Sequence, residues 1–325
     1  MIKQLLCGLS LSLATCTALA ATSAVDLRTS LEQVAKKARP GTLGILVMDP
    51  VTGDTIKVND DRSYLMMSVF KAPVAAAVLD QIDAGKLSFD KKVHLTPADV
   101  VPGSAVPSVG VRLKSGSLDL TIDELLHAAV TQSDNTAVDA LIRVLGGGKV
   151  VTAYLEGKGV HGMRIDMGER DLGRVLDDLK PGEQYPDDIS EAEQDRRLTK
   201  GFAAVVAGKL NSTTLDAAGA FLRRLQAGDM VSPTSTKRLL DMMTAQVIPN
   251  RIRAGLPAGF QIADKTGTGP STRDHLTAWN DIGIVTAPDG RKKIVVLLLS
   301  DAKMSSKQAD ALFAEVGGLV AATMQ

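Results

Sequence analysis

Apolar positions along this chain alternate between two spacings. Leu27, Leu31, Val34 and Ala35 recur every three or four residues and predict a helix over 27–39. Leu43–Met48 is then a continuous apolar run and Asp54–Val58 a second short extended segment. The polar stretch Asp49-Pro50-Val51-Thr52-Gly53 joins them as a hairpin. From Ser68 the spacing turns helical: Ala72, Ala75, Ala76, Leu79 and Ile82, with Val74 and Val78 beside them, make a broad apolar face that Gly85 should end. Thr121-Ile122-Asp123-Glu124 is a capping box that leads Leu125, Leu126, Ala129 and Val130 onto one face. Helical spacing dominates until the last third. There Gln261–Lys265, Asn280–Val285 and Lys293–Leu299 read as strands, with Asp289-Gly290 turning between the last two and a final helix from about Ser306. Strands at both ends with helices between predict an α/β unit closed by the two termini and an all-helical unit inserted into it. The crevice between the units is the expected site.

Composition narrows the function classes. The 325 residues carry 37 acidic and 37 basic side chains, and only 3% are aromatic, which argues against a nucleic-acid surface. Met1-Ile2-Lys3-Gln4, an apolar stretch from Leu5 to Leu19, and Ala18-Leu19-Ala20 form a secretory leader over 1–20 with an A-x-A cleavage site, so a periplasmic address is expected. Both cysteines, Cys7 and Cys16, lie inside it, leaving a mature chain without a disulfide. A lipoprotein attached through Cys16 is the alternative reading. No other segment is long and apolar enough for a membrane-spanning helix. His94, His127, His161 and His275 are scattered without metal-ligand spacing, so neither a metal nor another cofactor is expected.

The chemistry is carried by three ordered motifs. S-x-x-K occurs three times, at Ser68-Val69-Phe70-Lys71, Ser88-Phe89-Asp90-Lys91 and Ser300-Asp301-Ala302-Lys303, but only the first opens a buried helical pattern. Lys71, three residues on, lies on the same helical face as Ser68, where a lysine deprived of its charge by burial can take the hydroxyl proton. Taken alone, Ser68 also reads as a helix cap and Lys71 as a surface residue. Ser133-Asp134-Asn135 follows at a break between helices and presents a hydroxyl and an amide, although a plain cap for a helix over 136–145 reads equally. Lys265-Thr266-Gly267 ends a strand with a cation and a hydroxyl suited to a carboxylate, or is an ordinary edge-strand lysine. Lys114-Ser115-Gly116 has the same form but lies in a loop ahead of Ser133.

S-x-x-K, S-D-N and K-T-G in this order resemble the motif set of class A serine β-lactamases. Leu256-Pro257-Ala258-Gly259 ahead of the third motif and Asn280-Asp281-Ile282 extend the resemblance over most of the chain. It implies an α/β plus all-α fold, with an antiparallel sheet flanked by N- and C-terminal helices and an inserted helical domain. The α/β part would take in 21–67 and 214–325, and the helical part 68–213. It also implies a monomeric hydrolase for β-lactam substrates. Ser68 would be the acylated nucleophile, Lys71 the proton relay and Ser133 the donor to the lactam nitrogen. Asn135 would hold the side-chain amide, Lys265 with Thr266 and Gly267 the carboxylate, and the amides of Ser68 and Thr268 the oxyanion.

The family's deacylating glutamate follows an arginine, and Arg164-Ile165-Asp166-Met167-Gly168-Glu169 matches that front half, so Glu169 is the expected base, with Glu183 in reserve. The back half departs. Arg170 stands where proline is common and Gly173 where asparagine is usual, and the stretch from Leu179 to Asn211 is long and acidic. Gly103 falls at the usual rim aromatic. No arginine falls on the strand where one assists the K-T-G lysine, and Arg273 is the expected substitute. A penicillin-binding D,D-peptidase, a β-lactam sensor domain and a silent relative share parts of this pattern and remain alternatives.

Overall fold

The computed structural model describes residues 26–325 apart from 181, 185, 187, 273 and 274. The leader over 1–20, with Cys7 and Cys16, and Arg273 therefore lie outside the described residues. The chain begins with helix α1 (26–36) and the hairpin β1 (Thr42–Met48) and β2 (Thr55–Val58), followed by the short β3 (Tyr64–Leu65). A mainly helical stretch comes next: α2 (Lys71–Asp83), β4 (Lys92–Leu95), α3 (Ser108–Leu113), β5 (Leu118–Thr121), α4 (Ile122–Thr131), α5 (Asn135–Leu145) and α6 (Gly148–Gly157). It continues through α7 (Glu169–Leu176), α8 (Glu191–Gly208) and β6 (Ser212–Thr213) to α9 (Leu215–Ala227) and α10 (Pro233–Thr244). The last third is β7 (Gln261–Thr268), β8 (Ser271–Thr272), β9 (His275–Thr286), β10 (Lys292–Ala302) and α11 (Ser306–Ala322).

The main sheet is antiparallel, in the order β2-β1-β10-β9-β7, with β8 paired to β9. The first strand, from the start of the chain, lies against the last, with Leu43 opposite Leu299 and Ile45 opposite Leu297. Both faces are covered, which is why its central strands are apolar runs instead of alternating ones. Leu43, Ile45, Val295 and Leu297 pack with α1 and α11, whereas Leu46, Ile294, Val296 and Leu298 join the large cluster that runs into the helices. The helix expected over 27–39 stops at residue 36, ahead of Arg39-Pro40. The strand expected from Asn280 starts at His275, because Leu276, Thr277, Ala278 and Trp279 are also buried and leave no polar face to mark the start. The middle stretch is not purely helical: β4 pairs with β5, and β3 with β6. A third, small cluster joins Leu65, Met67, Leu172, Leu176, Phe202, Val205 and Ala278.

Candidate active site

Ser68 does not sit on the long helix but on a 3₁₀ turn, Met67–Phe70, that runs directly into α2. Met67, just before it, has φ +47°, a left-handed conformation that is costly for a side chain of this size and persists only where surroundings impose it. Two contacts impose it. Asn280 Nδ2 donates to the carbonyls of Leu65 (2.8 Å) and Met66 (3.0 Å). On β7, Gly267 comes so close that a Cβ there would stand 3.1 Å from the Val69 nitrogen. Edge strand and turn can therefore meet only because residue 267 has no side chain. Ser68 itself is half-buried, so its hydroxyl can be reached.

Lys71 is fully buried and surrounded by acceptors: the Ser133 carbonyl at 2.8 Å, Asn135 Oδ1 at 2.5 Å, Ser133 Oγ at 3.3 Å and Glu169 Oε1 at 3.1 Å. Burial holds its pKa below the usual lysine value, against the pull of Glu169. No direct hydrogen bond joins Lys71 to Ser68. The two meet through Glu169 Oε1, which also accepts from Ser68 Oγ at 3.0 Å.

Ser133 takes φ +56° ahead of α5, and it is Asp134 that caps the helix, accepting from Ala137 N at 2.9 Å and Val109 N at 3.0 Å. Ser133 Oγ also accepts from Lys265 Nζ at 3.0 Å. With both lone pairs turned to ammonium groups, its own proton is free to be donated. Asn135 Oδ1 accepts from Lys71, and its Nδ2 donates to the Pro102 carbonyl at 2.6 Å, next to Gly103.

Glu169 is buried in the first turn of α7. Its backbone amide and that of Arg170 donate to the two oxygens of Asp139, at 2.6 and 3.0 Å. Among the described residues only Arg39-Pro40 is cis, so the Glu169-Arg170 bond is trans. Asp139 lies one helical turn beyond Asn135 on α5, and burial raises its pKa to about 6. The loop before α7 is held by Asn211 Oδ1, which accepts from the Asp166 and Met167 amides. Glu183, the reserve, accepts instead from Lys180 N and Arg197.

Lys265 is fully buried on β7 and also donates to the Thr266 carbonyl. Burial, reinforced by Lys71, lowers its pKa to about 7. Thr266 and Gly267 are buried, whereas Thr268 is exposed at the strand end. The arginine that reaches the Gly267–Thr268 end of this strand is Arg251, not foreseen from the sequence because no motif surrounds it. Its guanidinium donates to the Gly267 carbonyl at 2.8 Å, to the Asn280 carbonyl and to Thr268 Oγ1 at 2.5 Å, and it stacks on Trp279. Its pKa is lowered by burial only to about 10, so it stays charged at neutral pH. Asp139 was equally unforeseen, and its only sequence signal is the four-residue step from Asn135.

Two hydroxyls, two ammonium groups of depressed pKa and one carboxylate converge at the junction of the sheet edge and the helices. Comparison with known proteins gives this arrangement its class. Residues 26–324 match the model of the Beta-lactamase enzyme family, and the chain belongs to that family. It is 31% identical to beta-lactamase FAR-1 of Nocardia farcinica over 84% of this chain and 75% of that one, and 25% identical to beta-lactamase VEB-1 of Pseudomonas aeruginosa over 90% and 88%. Among solved structures it is similar to a beta-lactamase from Chitinophaga pinensis, with a TM-score of 0.77 at 30% identity over 92% of this chain and all of that one. It is also similar to an ancestral class A beta-lactamase, at 0.73 and 33% over 90% and 98%. The fold is thus that of the class A enzymes.

Proposed function

We propose that this chain opens the amide bond of β-lactam antibiotics through an acyl-enzyme on Ser68, and so confers resistance to them. The supporting observation is the position of Glu169 Oε1, which touches the Ser68 hydroxyl and the Lys71 ammonium together. In the first half-reaction Ser68 Oγ bonds to the lactam carbonyl carbon and its proton passes to Lys71, which burial favours in its neutral form. The carbonyl oxygen turns negative between the Ser68 and Thr268 amides. As the C–N bond breaks, Ser133 gives its free proton to the nitrogen and regains one from the lysine beside it. In the second half, Glu169 takes a proton from water, the hydroxide attacks the ester carbonyl, and Ser68 leaves with a proton restored. Lys265, Thr266 and Arg251 hold the substrate carboxylate, Gly267 leaves room for it, and Asn135 holds the side-chain amide. The enzyme acts in the periplasm as a monomer after removal of residues 1–20.

Replacing Glu169 by alanine separates this reading from its neighbours. Intact-mass spectrometry should find the variant carrying one penicilloyl group while the wild type turns over. A variant that hydrolyses as slowly as an equally slow wild type would favour a D,D-peptidase, and a wild type that stays acylated would favour a sensor.

A further inference from the structure

The third apolar cluster touches the main sheet only through Ala278 of β9. It joins Met67, next to the nucleophile, to Leu172 and Leu176 on α7, and its far wall is Phe202 and Val205 of α8. Of the eighteen residues of α8 only Leu198, Gly201, Phe202 and Val205 are buried, a single stripe at helical spacing. At Gly201 the two helices touch backbone to backbone: a Cβ there would stand 2.5 Å from the Leu176 carbonyl carbon and run into the carbonyl oxygens of Leu176 and Val175. The φ at this position is not left-handed, so close approach alone requires glycine.

We propose that α8 is the positioning element for the base, with Gly201 and Phe202 as positioning residues that set where α7 holds Glu169 relative to Ser68. The inference rests on Glu169 being the deacylating base. Helix α7 has two mounts. Asp139 fixes the amides at its N-terminal end, and the α8 stripe fixes its last turn. Displacing the far end turns α7 about the Asp139 mount and swings the Glu169 carboxylate. Leu172, one turn beyond Glu169, meets Met67 in this cluster, but the Met67 turn is held separately by Asn280 and Gly267 and stays in place. Helix α8 cannot simply back away from a new methyl group, because Phe202 and Val205 are keyed into the same cluster. Acylation draws on Lys71, Ser133 and Lys265, which α8 does not touch. A shift of α7 therefore falls on the second half-reaction.

The test is Gly201→Ala, with the acylation and deacylation rates of a chromogenic cephalosporin measured separately by stopped flow. Deacylation should fall ten-fold or more, since a displacement near 1 Å costs on the order of 100-fold, while acylation changes less than about three-fold. A burst and a mass-detected acyl-enzyme should appear. Phe202→Leu, a gentler change, should move the same ratio in the same direction by less and serves if Gly201→Ala does not fold. Gly157→Ala on α6, where a Cβ meets nothing within 4 Å, should leave both rates unchanged. Unchanged rates in both α8 variants, or an equal fall of both rates, would overturn the inference. Glu169→Ala in parallel separates the two hypotheses: if it fails to trap acyl-enzyme, the assignment of the base has failed and not the role of α8.

Discussion

Helix α2, which carries Lys71, has nine buried residues out of thirteen and lies inside the largest apolar cluster; α7, which carries Glu169, has three out of eight and rests on the smallest. Ser68 is locked to the sheet edge through Asn280 and Gly267, and Ser133 and Lys265 are tied to each other. The groups proposed to make the acyl-enzyme are thus built into the main core, while the one proposed to destroy it hangs from a peripheral helix with two supports. Large apolar burial fixes a position against thermal motion, because moving one side chain disturbs many. A small cluster leaves its residues near the low-stability end of the molecule. Changes to the first region should erase the reaction, and changes to the second should stall it halfway.

The largest effect is expected from Ser68→Ala, which removes the bond-forming atom. Hydrolysis should fall by about 10⁴-fold or more, as for other nucleophile deletions, and covalent labelling by a penicillin should vanish. Ser88→Ala and Ser300→Ala should keep wild-type rates. Ser88 lies in the turn after α2, and Ser300 is on β10 opposite Thr42 and Ala278 in the sheet. Labelling that survived in Ser68→Ala would remove the basis for dividing the site into two halves.

Next is Asp139, the mount of the peripheral half. Asp139→Ala leaves the Glu169 and Arg170 amides without their acceptor. Deacylation should drop about 10- to 100-fold with acylation nearly unchanged. The pH dependence sharpens this. Burial raises the Asp139 pKa to about 6, so below that pH the carboxyl takes up a proton and can no longer accept both amides as an anion. The deacylation rate should fall as pH drops through 6. Stability runs the other way, since a carboxyl whose folded pKa lies above its unfolded value favours the fold below pH 4 and loses that contribution as pH rises through about 6. A rise from 3.8 to about 6 corresponds to about 3 kcal/mol. Thermal unfolding should show the wild type losing ground to Asp139→Ala over this range, and a difference independent of pH would refute the assignment.

The contrast between the halves also explains what could be read from the sequence. Lys71 and Lys265 sit in short motifs on regular elements and Ser133 in one at the break between α4 and α5, where spacing alone places them, and the apolar runs of β1 and β10 announced a covered sheet. Asp139 and Arg251 act through backbone amides and carbonyls that meet only after folding, so no local pattern marks them. Gly267 and Gly201 are needed for close approach across elements, which single-chain periodicity cannot express. Even Ser68, the one of three S-x-x-K copies that lies beside Glu169, was expected on a helix. Its 3₁₀ turn depends on Asn280, more than two hundred residues away.

The smallest effect tests the core half under mild conditions. Lys265 has a pKa of about 7, lowered first by burial and then by Lys71, so it is half neutral near pH 7 and mostly neutral at pH 8. A neutral amine cannot attract the substrate carboxylate by charge, and kcat/KM, which reports groups on the free enzyme, should fall about ten-fold from pH 6 to pH 8. For folding, a lysine whose pKa is depressed in the native state stabilises above its unfolded value of 10.5 and loses that contribution as pH falls through about 7. Substrate capture and stability therefore diverge here too, with the directions reversed from Asp139. Lys265→Arg keeps its charge throughout and should flatten the alkaline limb, though at lower activity, because a planar fork does not replace a compact ammonium at Ser133 Oγ. If the limb persisted in that variant, the titrating group would not be Lys265, and the alkaline loss would belong to a step other than carboxylate binding.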